Sequence, residues 1–149
     1  MVDPRIRGEI LNLVVKKRQV IYGQQAANYF LPEHLRKETK DFDILTSKPE
    51  VSAKELVKQL NKKYGDRFES VPARYSKTFK VKDKQTGNTV ADYTKTTKKP
   101  NSYNDVGVRY ADLNYAEKKI KKILKDESSK FRHDKDLDTL NRIRLRRWE

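Results

Sequence analysis

Two aspartates separated by one residue are the first candidates for chemistry in this sequence. Asp41 and Asp43 stand in the stretch 41–45, where polar and apolar residues alternate as they do along a β-strand. Side chains two residues apart on a strand project from the same face, with their Cα atoms about 7 Å apart. Two carboxylates so placed repel each other and raise each other's pKa unless a cation lies between them. A pair of Mg²⁺ ions about 4 Å apart would relieve that repulsion and create a phosphoryl-transfer site.

A third aspartate strengthens this interpretation. Asp92 lies among apolar neighbours in a second predicted strand, 89–94. An isolated Asp-x-Asp on a strand is more often the solvated face of a sheet, but strands seldom place an acid among apolar residues without a reason. The three acids converge if the two strands pair. We therefore predict that Asp41, Asp43 and Asp92 bind the metal ions and are the catalytic residues.

A glycine stands at a strand-to-helix junction upstream of these acids. Gly23 follows the predicted strand 18–22 and precedes the predicted helix 24–31. Backbone N–H groups at a helix start beside a glycine can bind phosphate. Most junctions of this kind are ordinary turns, so this one gains weight only from the Asp-x-Asp strand that follows it.

The elements that must position these residues form an α+β domain, a mixed β-sheet with helices packed on one side. Apolar residues at helical spacing predict helices over 5–17, 24–31, 53–64, 113–125 and 133–144. Alternation and β-branched runs predict strands over 18–22, 41–45, 68–71, 78–81, 89–94 and 106–110, with loops over 32–40 and 95–104. The length suits one minimal domain, 1–149, that ends in the helices of 113–147.

Two local features refine this prediction. Ser52, with Glu55 three residues on, has the pattern of a capping box at the start of the third helix. Leu137, Leu140 and Ile143 recur at helical spacing and are predicted to form the buried face of the last helix.

Composition narrows the class of protein. The net charge of +14 indicates a polyanionic partner, most often nucleic acid, although a highly charged soluble surface is the alternative. The absence of cysteine excludes disulfides, thiolate metal sites and thiol nucleophiles. The sequence has neither an apolar run of about 20 residues nor a signal peptide pattern. We expect an intracellular, by default cytoplasmic, protein with no membrane partner, whose oligomeric state the sequence does not give.

Taken together, these motifs resemble the DNA polymerase β-type nucleotidyltransferase superfamily. Within it, the chain is most similar to the catalytic domain of the poly(A) polymerase catalytic subunits of large DNA viruses. The resemblance spans about 20–142 and is carried by the segments 22–29, 39–44, 90–92, 106–111 and 132–137. It implies a nucleotidyltransferase fold, an origin in a virus, and transfer of nucleotides from a nucleoside triphosphate, with ATP favoured, to an RNA 3′ end or another nucleic acid.

The resemblance also implies roles for individual residues. Asp41 and Asp43 would bind two Mg²⁺ or Mn²⁺ ions and the triphosphate, and Asp92 would hold the catalytic metal and help activate the attacking 3′-hydroxyl. Gly23 and Gln24 would contact the nucleotide phosphates. The superfamily usually has Gly-Gly or Gly-Ser at this junction, so the amide of Gln24 either binds a phosphate or obstructs the site.

Basic and aromatic residues extend the predicted site. We predict further nucleotide contacts from Lys95, Tyr110, Arg132 and Lys135. We predict nucleic-acid contacts from Lys98, Lys99, Arg142, Arg144, Arg146 and Arg147. Each has an ordinary alternative: a solvated loop, a core tyrosine, a surface ion pair between Arg132 and Asp136, or a frayed C-terminus.

Three functions are compatible with these features. The first is metal-dependent nucleotidyl transfer of the poly(A) polymerase type. The second is a catalytically degenerate module of the same fold that binds RNA or a partner, which Gln24 favours and the three acids oppose. The third is a minimal transferase that modifies transfer RNA or a protein.

Overall fold

The computed structural model describes residues 3–74 and 77–146. In this part of the chain the α-helices are α1 Pro4–Lys16, α2 Gly23–Phe30, α3 Pro49–Tyr64, α4 Leu113–Leu124 and α5 His133–Arg146, with short 3₁₀ helices at Glu33–Leu35 and Glu127–Arg132. The strands are β1 Val20–Tyr22, β2 Phe42–Thr46, β3 Phe68–Pro72, β4 Thr78–Asp83, β5 Thr89–Lys95, β6 Ser102–Asp105 and β7 Val108–Ala111. None of the helices described is long and apolar enough to cross a membrane.

The strands form one mixed sheet in the order β3-β4-β5-β2-β1-β7-β6. β2 pairs in parallel with β5, and β1 pairs in parallel with β7, whereas the other neighbours are antiparallel. The predicted α+β class is therefore confirmed. The topology also makes β2 and β5 direct neighbours, so the two acid-bearing segments lie side by side.

The main core lies between one face of the sheet and the helices α1 and α3. From β2, Phe42 and Ile44 contribute fully buried side chains, and Leu56 and Leu60 do the same from α3. Because neighbouring residues of a strand face opposite ways, this burial turns Asp43 toward the other face. On that other face, Tyr115 of α4 packs against a smaller buried cluster that includes Tyr22 and Leu45.

The predicted start of the third helix is wrong. Helix α3 begins at Pro49, a residue whose fixed φ suits the first helical position, and Lys48 is its N-cap without a side-chain capping bond. Ser52 therefore lies inside the first turn. Its hydroxyl bonds to the Thr46 hydroxyl at 2.9 Å and accepts from the Gln19 amide at 3.3 Å. The two residues of the Ser-x-x-Glu pattern therefore make tertiary contacts and do not cap the helix.

Three other predictions also differ from the structure. The predicted loop 95–104 contains most of β6, an edge strand whose side chains are all exposed and therefore lack an apolar alternation. The predicted strand 106–110 corresponds to β7, which begins two residues later, at Val108. Val106 and Gly107 adopt positive φ in the turn that joins β6 to β7. In α5, Leu140 and Ile143 are buried as predicted, but Leu137 is 45% exposed.

An ion pair stabilises the distal β3–β4 edge of the sheet. Arg67 donates to both carboxylate oxygens of the buried Asp83, at 3.0 and 2.8 Å. Hydrogen bonds from this guanidinium are the main cause that lowers the pKa of Asp83 below its ordinary value of 3.8.

We expect Asp83→Asn to destabilise the fold by about 2 kcal/mol at neutral pH, because the Arg67 guanidinium then lacks its carboxylate. A lowered folded-state pKa contributes stability above the unfolded pKa and loses it as pH falls through the folded value. The difference in unfolding free energy between wild type and Asp83→Asn should therefore decrease below about pH 4. Urea unfolding across pH measures it. Asp66→Asn, at an exposed ion pair with Lys84, should cost well under 1 kcal/mol; an equal loss in both variants would contradict this account.

Candidate active site

The three predicted acids meet on the face of the sheet opposite α1 and α3. Asp43 and Asp92 are register partners on the parallel strands β2 and β5, and Asp41 stands just before β2 begins. Each offers one carboxylate oxygen, and the three oxygens lie within 4.8 Å of one another. The strand pairing on which the sequence argument depended is therefore present.

These carboxylates are electrostatically unfavourable without a cation. Burial, followed by the charge of Asp41, raises the pKa of Asp43 to about 7. Burial, followed by the charge of Asp43, raises the pKa of Asp92 to about 8. In addition, Asp92 Oδ1 is buried without a hydrogen-bond partner in the described part of the chain.

This arrangement fits a divalent metal site. Carboxylate oxygens are the ligands that Mg²⁺ prefers, and a cation among the three would remove their repulsion and give Asp92 Oδ1 a partner. Because protons compete with metal for carboxylates of raised pKa, such a site would bind metal more tightly as pH rises.

Gly23 is required by the position of Asp43. It begins α2 with φ of +72°, and a Cβ built on it would lie 2.2 Å from Asp43 Oδ2. The strand–glycine–helix pattern predicts phosphate binding at this glycine. The structure adds that the acid itself packs against the glycine backbone.

A cleft of about 460 Å³ opens in front of the acids. Its other wall is formed by α4, α5 and the segment between them. Gly23, Gln24, Arg132 and Lys135, all predicted to contact nucleotide, line this cleft together with Asp41 and Asp43. The structure thus brings these predicted residues to one place.

Three cations that line the cleft were not predicted from the sequence: Lys37, Lys40 and, the one whose charge is among those acting most on Asp43, Lys119. Its ammonium lies 4.8 Å from the centre of the Tyr22 ring and 6.0 Å from that of Tyr115. Burial lowers the pKa of Lys119, while the charge of Asp43 opposes that shift. The available signal was a lysine beside Ile120 and four residues after Tyr115, on the apolar face of a predicted helix.

Arg132 and Lys135 face the acids from the other end of this wall. Arg132 donates to both oxygens of Asp136 on the next turn, at 2.7 and 3.2 Å, as the alternative ion-pair interpretation predicted. Its charge nevertheless acts on Asp43, as do those of Lys135 and Lys119, and all three favour the ionised carboxylate.

The side chain of Gln24 connects α2 to α5. Its Nε2 donates to Asn28 at 2.8 Å, and its Oε1 accepts from the Thr139 hydroxyl at 3.0 Å. Lys37 extends the connection, because its Nζ donates to the same hydroxyl at 3.3 Å and pairs with Asp138 at 3.0 Å. The Gln24 amide is therefore engaged by protein groups at the edge of the cleft, and its contact with phosphate stays a prediction.

The other predicted contacts lie outside this cleft. Lys95 and Lys98 are exposed, and Tyr110 stacks on Tyr29 with ring centres 4.2 Å apart. Lys99 donates to the carbonyl of Arg18 at 2.6 Å.

The predicted C-terminal arginines differ among themselves. Arg142 bonds to Asp138 and to the carbonyls of 35 and 36, and Arg146 bonds to the Phe30 carbonyl. Arg144 is exposed, and Arg147 lies outside the described residues. Their role in binding nucleic acid stays a prediction.

The mixed sheet, the paired acid strands and the strand–glycine–helix junction together define a nucleotidyltransferase fold. The crystal structure of the Megavirus polyadenylate synthase has the same architecture, with a TM-score of 0.79 and 16% identity over 95% of this chain and 31% of that chain. A nucleotidyltransferase-like antigenic protein from Paracoccidioides brasiliensis matches 95% of this chain and 77% of its own with a TM-score of 0.46 and 15% identity.

The first likeness confirms the resemblance seen in the sequence at the level of the fold. The chain spans about a third of the length of the Megavirus protein. No protein-family model and no curated protein sequence matches it.

We expect Gly23→Ala to displace Asp43 and to weaken divalent metal binding by at least about tenfold, because the new Cβ would occupy the position of its carboxylate. Isothermal titration with Mn²⁺ measures the affinity. Gly65→Ala is the matched control, since Gly65 has a similar φ of +78° and no atom within 4 Å of its built Cβ. Both variants should lose stability because of their positive φ, and equal metal affinity in the two would refute the packing of Asp43 against Gly23.

Proposed function

We propose that this protein is a divalent-metal-dependent nucleotidyltransferase that moves a nucleotidyl group from a nucleoside triphosphate, with ATP favoured, to the 3′-hydroxyl of an RNA. One observation carries the proposal: three carboxylates converge within 4.8 Å at a cleft whose opposite wall bears cations. This distribution places negative charge where metal ions bind and positive charge where a triphosphate would lie.

The residues divide the chemistry between them. Asp41 and Asp43 would hold two Mg²⁺ ions, which supply Lewis acidity to the attacking and leaving oxygens. Asp92 would also hold the catalytic metal; it orients the acceptor hydroxyl and receives its proton as the 3′ oxygen bonds to the α-phosphorus. The bond from that phosphorus to the bridging oxygen then breaks, and pyrophosphate leaves with the bonding electrons.

The wall formed by α4 and α5 would bind the triphosphate. Lys119, Arg132 and Lys135 are the cations whose charge acts most on Asp43, so they lie close to the place where the phosphates must meet the metal ions. The aromatic rings around Lys119 limit where its ammonium can move, which favours a fixed contact over a solvated one.

We expect Asp92→Asn to abolish nucleotide incorporation, with a loss of at least about a hundredfold, because the catalytic metal loses a ligand. The assay combines labelled nucleoside triphosphates with RNA, transfer RNA or protein acceptors and Mg²⁺ or Mn²⁺. Metal-free stability should stay equal or rise, since the substitution removes repulsion. Asp66→Asn, at an exposed acid, should keep wild-type activity. Wild-type protein without incorporation on any acceptor would refute the proposal.

The second candidate is a noncatalytic RNA- or partner-binding module, which the engagement of Gln24 by Asn28 and Thr139 favours. Triphosphate binding that depends on Mg²⁺ separates the two candidates. The enzyme should bind more tightly when Mg²⁺ is added, whereas a degenerate module should show no such dependence.

We expect Lys119→Ala to raise KM for the nucleoside triphosphate by about tenfold, as the loss of one charge-assisted phosphate contact predicts. Steady-state kinetics on RNA with varied nucleotide measures it. Lys118→Ala on the same helix is the control, because that side chain is exposed and outside the cleft. An unchanged KM in Lys119→Ala would remove this lysine from the nucleotide site.

A further inference from the structure

A second pocket lies at the far end of the sheet, away from the acid cleft. It has a volume of about 360 Å³ and lies between the end of α1, the start of α3 and the chain after β5. Leu45 and Tyr93 belong to its apolar lining, and hydroxyls from Thr46, Ser52 and Thr96 to its polar one. Nothing in the proposed nucleotidyl transfer uses this pocket.

The charge of the pocket is strongly positive. Lys17, Arg18, Lys48 and Lys99 line it, and Glu55 is the single acid among the lining residues. Glu55 pairs with Lys17 at 3.1 Å. The other three cations have no acidic partner among the described residues, so the pocket has an excess of positive charge for an anion to neutralise.

The start of α3 adds further donors to the same pocket. Its N-cap Lys48, with Val51 and Ser52 of its first turn, lines the wall. No side chain caps this helix, and Glu50 in its first turn, which pairs with Lys54, offsets only part of the positive charge at its N-terminus. Phosphate groups bind readily where an uncapped helix start and lysines coincide.

The side chain of Gln19 indicates that the ligand of this pocket also carries a hydrogen-bond donor. This side chain is only 8% exposed, its Nε2 makes one long bond to Ser52 at 3.3 Å, and its Oε1 has no partner. In the described part of the chain, one other buried side-chain oxygen lacks a partner, Oδ1 of Asp92 at the metal site. An unpaired buried acceptor costs free energy that a ligand hydroxyl would recover.

A ribonucleotide carries both an anionic phosphate and a hydroxyl donor. Its phosphate matches the cations and the helix start, and its 2′-hydroxyl is a donor next to the backbone phosphate. The chain from Asp92 along β5 to Thr96 also leads directly from the acids to this pocket, a path of about 13 Å in extended backbone. An RNA strand whose 3′ end lies at the acids is therefore within reach of the pocket.

We infer that this pocket binds a ribose–phosphate unit of single-stranded RNA upstream of the 3′ end, with Lys48 and Lys99 on the phosphate and Gln19 on the 2′-hydroxyl. This inference rests on the proposed function for the identity of the strand. It makes the pocket the place where the protein distinguishes RNA from DNA.

The test measures binding of fluorescein-labelled oligoadenylate RNA, and of DNA of the same sequence, by anisotropy at several salt concentrations. Lys48→Ala/Lys99→Ala should weaken RNA binding and reduce the salt slope by about 0.7, the weight of the one phosphate that the two lysines contact. The matched control is Lys58→Ala/Lys62→Ala, two exposed lysines of α3 outside the pocket. This control should change RNA affinity and the salt slope less than Lys48→Ala/Lys99→Ala does.

Gln19→Leu tests ribose recognition, because it removes the amide and keeps a similar volume. The preference for RNA over DNA should fall about fivefold, the usual weight of one hydrogen bond. If this buried variant does not fold, the side-chain amide signal of Gln19 in ¹⁵N-labelled wild-type protein replaces it. That signal should shift with RNA and not with DNA or inorganic phosphate.

The outcomes separate this inference from the proposed function, because binding is read without catalysis. Equal losses in the two lysine pairs, an unchanged RNA preference in Gln19→Leu, or inorganic phosphate that shifts the Gln19 signal as RNA does would each overturn the pocket assignment. None of these results would affect nucleotide incorporation by the acid site, whose own failure would appear only in the transfer assay.

Discussion

The parallel pairing of β2 with β5, together with burial of one face of β2, is the constraint on which the site depends. Phe42 and Ile44 are buried against α1 and α3. A strand cannot bury these two side chains without turning Asp43 the opposite way. The pairing then places Asp92 in register beside it. Ordinary hydrophobic burial therefore holds together carboxylates that would otherwise separate, and core free energy opposes their repulsion.

The sequence allowed the acid half of the site to be predicted because its signals are local. Strand alternation placed Asp41 and Asp43, and Asp92 was conspicuous as an acid among apolar residues. The wall that faces them was harder to predict. Lys119 comes close to the acids only because α4 packs across the sheet; its place on the apolar face of the helix indicates partial burial but not which residues it approaches. Tyr110, by contrast, was predicted at the site and stacks on Tyr29 elsewhere.

Two errors in the predicted elements have the same physical origin. Ser52 and Glu55 have the spacing of a capping box, but Pro49 starts the helix earlier, and the serine hydroxyl bonds to Thr46 and Gln19. β6 lies at an edge with exposed side chains, so its pairing with β7 depends on backbone hydrogen bonds that leave no pattern in the sequence. In both cases contacts with residues distant in sequence determined the secondary structure, which local propensity did not specify.

The two walls of the cleft belong to different hydrophobic clusters. The acids lie on the sheet with its large core, whereas Ile120, Leu140 and Ile143 form a separate, small cluster between α4 and α5. Polar bonds through Gln24, Lys37 and Arg142 join α5 to the rest, and apolar contacts of Leu113 and Tyr115 join α4 to it. A small cluster with such limited contacts opens at lower free energy than a continuous core. Under the proposed function, opening of the last two helices would free a bound pyrophosphate while the acids keep their metal ions.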